Sequence, residues 1–325
     1  MSKAICILKT GGPDVLRWRD VDVAAPGPGE VRLRQTAVGL NYIDVYHRGG
    51  LYPLAELPAV IGMEGAGIVE EVGPEVAGFE AGQRVAYAGL PPGAYAEERV
   101  IPAHRLVKLP DAIDDRQAAA MMLKGMTAHY LLRRTYHVHK GDVILVHAAA
   151  GGVGLILCQW AKHLGATVIG TVGSDEKAAL AGANGCDHTI VYSRQNFPER
   201  VSDITNGGGV AVVYDSVGRA TFEGSLDCLR PLGVMVSFGN ASGPLAPFDP
   251  ALLGAKGSLF LTRPSLMTYT ANRQDLLAAA EELFDVVLGG QVKITIHQTY
   301  PLAEAARAHL DLEARKTTGS TVLLP

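Results

Sequence analysis

The stretch "ILVHAAAGGVG", residues 144–154, decides how the chain is read: an apolar run breaks into a glycine-rich turn and opens an amphipathic segment. That is how a buried strand passes into a phosphate-binding helix. The usual spacing is G-x-G-x-x-G; here Ala149 stands at the first position, with Gly151 and Gly154 at the other two. The first small residue permits a tight turn, the second lets backbone approach a pyrophosphate, and the third lets the helix pack close to the strand. Gly151 and Gly154 meet the last two needs, and Ala149 meets the first provided its φ is negative. Ala150, Gly151, Gly152 and Val153 are therefore expected on a dinucleotide, with Gly152 opening a helix whose amides and dipole attract phosphate.

Around this turn the pattern alternates between strand and helix. Strands are expected at residues 143–146, 166–172, 188–192, 210–215, 234–238 and 258–262, with helical patterns such as "VGLILCQWAKHLG" and "ATFEGSLDCLR" between most of them. Alternation of this kind implies a parallel sheet covered on both faces, and six strands suit a doubly wound dinucleotide unit. Upstream the chain is β-rich. "EVRLRQTAVGLN" alternates Val31, Leu33 and Gln35 against Arg32, Arg34 and Thr36, and further short strands are punctuated by Gly and Pro, as in a barrel-like module. "DAIDDRQAAAMMLKGMTAHYLLRR" reads as a helix capped by Asp114 or Asp115. After Pro264 comes a long amphipathic helix ending at a Gly-Gly stop. Two strands follow, "KITIHQTYPL" and "GSTVLLP", whose expected home is the N-terminal module. The α/β chain thus divides into residues 1–124 with 266–325, and an inserted nucleotide domain, 125–265.

A chain of 325 residues exceeds what one hydrophobic core usually supports. A net charge of −4 gives no pull toward nucleic acid or membranes. The four cysteines form no C-x-x-C pair and read as reduced thiols of a cytosolic protein. The N-terminus lacks a cleavable-leader pattern, and no uncharged apolar stretch reaches the ~20 residues of a membrane helix, so a cytoplasmic location is expected.

Cofactor selectivity is set where the second strand ends. A carboxylate there accepts from the ribose and repels a 2′-phosphate. Here "ATVIGTVGSDEK" ends at Gly173-Ser174 with no acid at its tip, and Lys177 lies one helical turn beyond Ser174. Asp175 and Glu176 suit the first turn of a helix capped by Ser174. NADPH is favoured over NADH.

Several segments together, "HAAAGGVGLILCQWAKHLG", "VVYDSVG", "MVSFGNASG", "GSLFLTRPSL" and "NYIDVYHRGGLYP", resemble the quinone oxidoreductases. These are the zinc-free, NADPH-dependent branch of the medium-chain dehydrogenase/reductase superfamily, and the resemblance spans essentially the whole chain. It implies a GroES-like β-barrel-type catalytic domain, a Rossmann domain with a doubly wound, parallel six-stranded sheet, and a homodimer paired through the edges of the nucleotide-domain sheets. Zinc alcohol dehydrogenases of the superfamily carry a cysteine ligand and a Gly-His-Glu histidine. In this sequence Asn41 and Met63 stand there, and an amide with a thioether makes no zinc site. His137 and His139 form the one close histidine pair and read as solvent-facing. No metal is therefore expected.

Without a Lewis acid, the substrates that suit are those accepting hydride with little metal help, quinones or activated C=C bonds. Charge developing on their oxygen needs a hydrogen-bond donor, and the candidates are Asn41, Tyr46 and Tyr52. Tyr46 also reads as a core aromatic, Tyr52 as a brace for the "GLYP" turn, and Asn41 as a neighbour of the nicotinamide. Asp44 reads as an orienting residue; solvent is left as the proton source. By resemblance Lys124 and Thr127 lie near the nicotinamide half, and Tyr192 with Lys177 flanks the adenosine phosphate. Ser216, Phe238, Gly239 and Asn240 lie at carboxyl ends of strands, where open sheets bind ligands. Arg315 resembles a C-terminal arginine that reaches the cofactor, with a solvated charge and its neighbour Lys316 as competing readings. The leading expectation is a quinone reductase. A 2-alkenal or enone reductase is the alternative, and a non-catalytic NADPH-binding protein, crystallin-like or RNA-binding, belongs to another class.

Overall fold

The computed structural model describes residues 2–325, which divide into two compact units: residues 2–126 with Thr270–Leu288 and Ile294–Pro325, and Thr127–Tyr269 with Gly289–Lys293.

The first unit opens with the strands β1 (Ser2–Ile7), β2 (Arg17–Val21) and β3 (Glu30–Gly39), then helix α1 (Tyr42–Gly49). Strands β4 (Ala59–Val60), β5 (Glu64–Val72), β6 (Arg84–Ala88), β7 (Glu98–Pro102) and β8 (Val107–Lys108) follow, and helix α2 runs Asp115–Tyr130. In β3, Val31, Leu33 and Gln35 are buried as their alternation requires. Gln35 satisfies its amide on the carbonyls of Ala94 and Ala96, so a polar side chain sits in the core without an orphaned donor. Asp114 Oδ1 accepts from the amide of Gln117 at 2.8 Å and caps α2.

In the second unit come β9 (Val143–His147), α3 (Gly152–His163), β10 (Thr167–Val172), α4 (Asp175–Ala183), β11 (His188–Val191) and α5 (Phe197–Ile204). Next are β12 (Val210–Asp215), α6 (Phe222–Asp227), β13 (Leu229–Ser237), α7 (Ala251–Ala255), β14 (Phe260–Thr262) and α8 (Leu266–Tyr269). Their sheet has six strands in the order β11-β10-β9-β12-β13-β14, all parallel. The order reverses at β9, which lies between β10 and β12, and this is where doubly wound sheets bind ligands. Every residue of β12 is buried, as expected of a strand with helices on both faces. β13 starts earlier than sequence patterning suggests, at Leu229; its pairing with β12 shifts register between Leu229 and Val234, where Leu232 takes a left-handed φ of 61°.

The chain then returns to the first unit. Helix α9 (Arg273–Leu288) stops at Gly289-Gly290, and β15 (Ile296–Pro301), α10 (Ala305–Glu313) and β16 (Ser320–Leu324) follow. β16 pairs antiparallel with β3, so the C-terminal strands join the N-terminal sheet as expected. No helix among the described residues is long and apolar enough to cross a membrane.

Candidate active site

The glycine turn has a geometry that explains its unusual alanine. Its left-handed residue is Ala148, at φ 52°, not Ala149. Ala149 is fully buried beside Gly170 of β10: a Cβ added to Gly170 would lie 2.7 Å from the Ala149 methyl. The space usually saved by a first glycine is supplied here by a glycine on the neighbouring strand. Gly151 is the N-cap of α3, and any Cβ on Gly154 would collide with the Ala148 carbonyl. The amides after Gly151 thus lie at the positive end of a twelve-residue helix, whose dipole favours negative charge.

At the end of β10, Ser174 caps α4 by accepting from the Lys177 amide at 3.3 Å. A Cβ on Gly173 would fall 2.9 Å from Tyr192 Oη, so the glycine keeps room for that hydroxyl. Asp175, the acid nearest the strand tip, is forked onto Arg194, with Nη1 2.6 Å from Oδ2; hydrogen bonding from Arg194 lowers its pKa. Gly173, Ser174, Lys177 and Tyr192 thereby gather at two adjacent strand ends. Ser216 follows β12, and Phe238, Gly239 and Asn240 follow β13. Gly239 approaches the Ser216 carbonyl too closely for any side chain. Thr127 belongs to this unit as well and is buried.

In the first unit the candidates Asn41 and Lys124 converge on a residue that sequence reading missed, Glu64. Asn41 Nδ2 donates to Glu64 Oε2 at 2.7 Å, and Lys124 Nζ lies 2.9 Å from the same oxygen. The Leu123 amide donates to Oε1 at 2.7 Å. Glu64 is fully buried and the Lys124 side chain only 5% exposed, so this is an ion pair with its hydrogen bonds largely satisfied. Gly39 makes the approach possible, since a Cβ there would overlap the Glu64 carboxylate. The signal for Glu64 in the sequence is the acid directly after Met63 in "GMEGAG", an isolated charge in an otherwise uncharged run. Tyr46 and Tyr52 are half-buried and pack edge to face, 5.1 Å between ring centroids. Arg315 follows α10, at φ 58° and exposed.

Met63 is buried, and among the described residues no group of three or more His, Cys, Asp or Glu is placed to hold a metal ion. The His137 and His139 rings stand 5.0 Å apart, and His137 Nδ1 lies 3.2 Å from the Arg133 carbonyl.

A nucleotide-type sheet with a glycine turn, joined in one chain to a barrel-type β unit, defines a medium-chain dehydrogenase/reductase. Residues 27–111 match the alcohol dehydrogenase GroES-like domain and residues 152–284 the zinc-binding dehydrogenase family. A quinone oxidoreductase of Pseudomonas aeruginosa is 56% identical over all of both chains. A 2-haloacrylate reductase of Burkholderia sp is 51% identical, covering 100% of this chain and 99% of that protein. The solved structure of Escherichia coli quinone oxidoreductase complexed with NADPH superposes with a TM-score of 0.98 at 48% identity, over 99% of this chain and 100% of that one. The chain belongs to the quinone oxidoreductase family.

Proposed function

We propose that this chain is an NADPH-dependent quinone oxidoreductase that works without a metal. Residues 125–265 hold the cofactor, and residues 1–124 with 266–325 hold the acceptor. The observation that carries this reading is the strand end at Gly173, Ser174 and Lys177, where the nearest carboxylate is neutralised by Arg194. The residues fit the cofactor: Gly154 lets α3 close against the turn at Ala148, Gly173 leaves room for the Tyr192 hydroxyl at the strand end, and the N-terminus of α3 suits a pyrophosphate. When bound there, NADPH supplies a hydride from nicotinamide C4 to the acceptor.

The chain's own residues bind and orient. Ala150, Gly151, Gly152 and Val153 take the pyrophosphate, and Ser174, Lys177 and Tyr192 take the adenosine phosphate. Lys124, Thr127, Ser216, Phe238, Gly239, Asn240 and Arg315 complete the cofactor site. Because the Asn41 amide is engaged by Glu64, it fixes the nicotinamide side of the site. Hydrogen bonding to a charged quinone oxygen falls to Tyr46 and Tyr52, and solvent supplies the proton.

Two measurements test this. Lys177→Glu should weaken NADPH at least ~tenfold more than NADH, because only NADPH carries the 2′-phosphate that charge reversal repels. Equal losses would displace the phosphate from this strand end. NADPH oxidation should also be followed with a quinone panel and with a panel of activated alkenes. The 2-haloacrylate reductase relative favours the alkenes as a second reading, and turnover confined to them would replace the first.

A homodimer fits the exposed edge of the second unit's sheet, where β14 is the last strand and Phe260 is 60% exposed. Sedimentation of a Phe260→Asp variant as a monomer would support that edge as the interface. A cytoplasmic location completes the reading.

A further inference from the structure

Behind Asn41 lies a buried chain of hydrogen bonds that the reading above does not use. The backbone amide of Asn41 donates to Asp44 Oδ2 at 2.9 Å, closing the start of α1. Tyr95 Oη lies 3.0 Å from the same oxygen and 3.0 Å from His309 Nε2. His309 Nδ1 is 3.0 Å from Arg48 Nη1. Arg48 in turn forks onto Glu313, at 2.9 and 2.8 Å. Asp44 and His309 are fully buried, and Tyr95 is equally inaccessible.

The direction of every proton in this chain follows from its far end. An arginine only donates, so Nδ1 of His309 must accept and its proton sits on Nε2. His309 therefore donates to Tyr95, and Tyr95 donates to Asp44. The arginine also closes the chain to proton entry from the Glu313 side, because Nδ1 is already engaged. Oδ2 of Asp44 receives two donors while Oδ1, also buried, meets none among the described residues. A proton taken up by Asp44 must then reside on Oδ1.

We propose that Tyr95 and His309 are positioning residues for the reaction: through Asp44 they hold the first turn of α1, and with it Asn41, in the arrangement that turnover requires. This rests on the reading that Asn41 stands at the reacting end. Burial drives the Asp44 carboxyl up to about 7, against the lowering effect of the Asn41 amide and the Tyr95 hydroxyl. The charges facing it are Lys124, which favours the carboxylate, and Glu64, which opposes it. Burial and then Arg48 depress His309 to about 3, so it remains neutral throughout the working range. Removing the Tyr95 donor should therefore leave Asp44 harder to ionise.

The test compares Tyr95→Phe, His309→Leu and His309→Gln with the wild type, using NADPH and a soluble 1,4-benzoquinone across pH. Tyr95→Phe removes one oxygen, and circular dichroism should find it folded. Its kcat should fall about tenfold with the NADPH KM within about twofold, and its pH limb should move up by roughly one unit. His309→Leu should behave likewise, whereas His309→Gln restores a donor to Tyr95 and should recover most of the rate. A second readout is independent of turnover: infrared titration of the Asp44 carboxyl in the free protein, assigned with Asp44→Asn. An unmoved titration in Tyr95→Phe overturns the inference; a moved titration with unchanged kcat overturns its link to catalysis. A wild type that reduces no quinone would instead sink the functional reading, and the infrared arm would still judge the chain.

Discussion

The two units assemble their candidate sites from different materials. In the second, the site is backbone: amides at the start of α3, glycines that exclude Cβ atoms, and the carboxyl ends of parallel strands. In the first, it is buried side chains drawn from distant parts of the chain, Asn41, Glu64 and Lys124 at its centre with Asp44, Tyr95 and His309 behind them. A backbone site tolerates any change that spares its turn. A buried ionic site is sensitive to the loss of either partner, because the survivor's charge is left without compensation.

The sharpest way to break this contrast is Glu64→Leu. It should destabilise the protein by about 3–5 kcal/mol in urea unfolding, since it strands a buried ammonium. The double variant with Lys124→Met should recover much of the loss; equal losses in the single and double variants would show that the pair is not a unit.

Next in size are two opposed pH dependences. Asp44, raised to about 7, binds a proton in the folded state that it would release in the unfolded chain, so its stabilising contribution lessens as pH climbs from ~4 to ~7. His309, depressed to about 3, stays neutral when folded, so its contribution is lost as pH falls below ~6.5. Between ~4 and ~6.5 the two slopes oppose each other. His309→Gln should uncover a stability that declines toward neutral pH, and Asp44→Asn one that declines toward acid. Urea midpoints taken across pH check both, and parallel profiles in the two variants would refute the assignment.

For the backbone site, Gly154→Ala should weaken NADPH on the order of 100-fold, because the methyl forces α3 away from Ala148, while unfolding midpoints move less than in Glu64→Leu. The smallest effect belongs to Arg194→Ala. So exposed a pair contributes little to folding, yet freeing Asp175 should cut NADPH affinity a few-fold and spare NADH. Calorimetry with both cofactors separates these.

The same contrast explains what was legible in the sequence. The Rossmann strands were readable because parallel strands are buried on both faces and helices follow at fixed intervals, so periodicity and glycine spacing are local signals. The joining of β16 to β3 was also legible, since two late strands need a sheet. The condition on Ala149, a φ that is not left-handed, is met, whereas the left-handed Ala148 and the glycine that makes room for Ala149, on another strand at position 170, have no local signal. The Glu64 hub and the Tyr95–His309 chain were invisible for a plainer reason. Their bonded members are separated by up to 265 residues, and nothing local distinguishes a buried histidine from an exposed one.

Gly39 and Glu64 carry a consequence for how this chain can change over generations. A side chain at 39 is barred from two sides, by the Glu64 carboxylate and by the Ala119 backbone carbonyl, whose oxygen its Cβ would overlap. Shortening residue 64 clears only the first obstacle, so Gly39→Ala should remain harmful in a Glu64→Ala background. Lineages should therefore keep glycine at 39 whatever stands at 64.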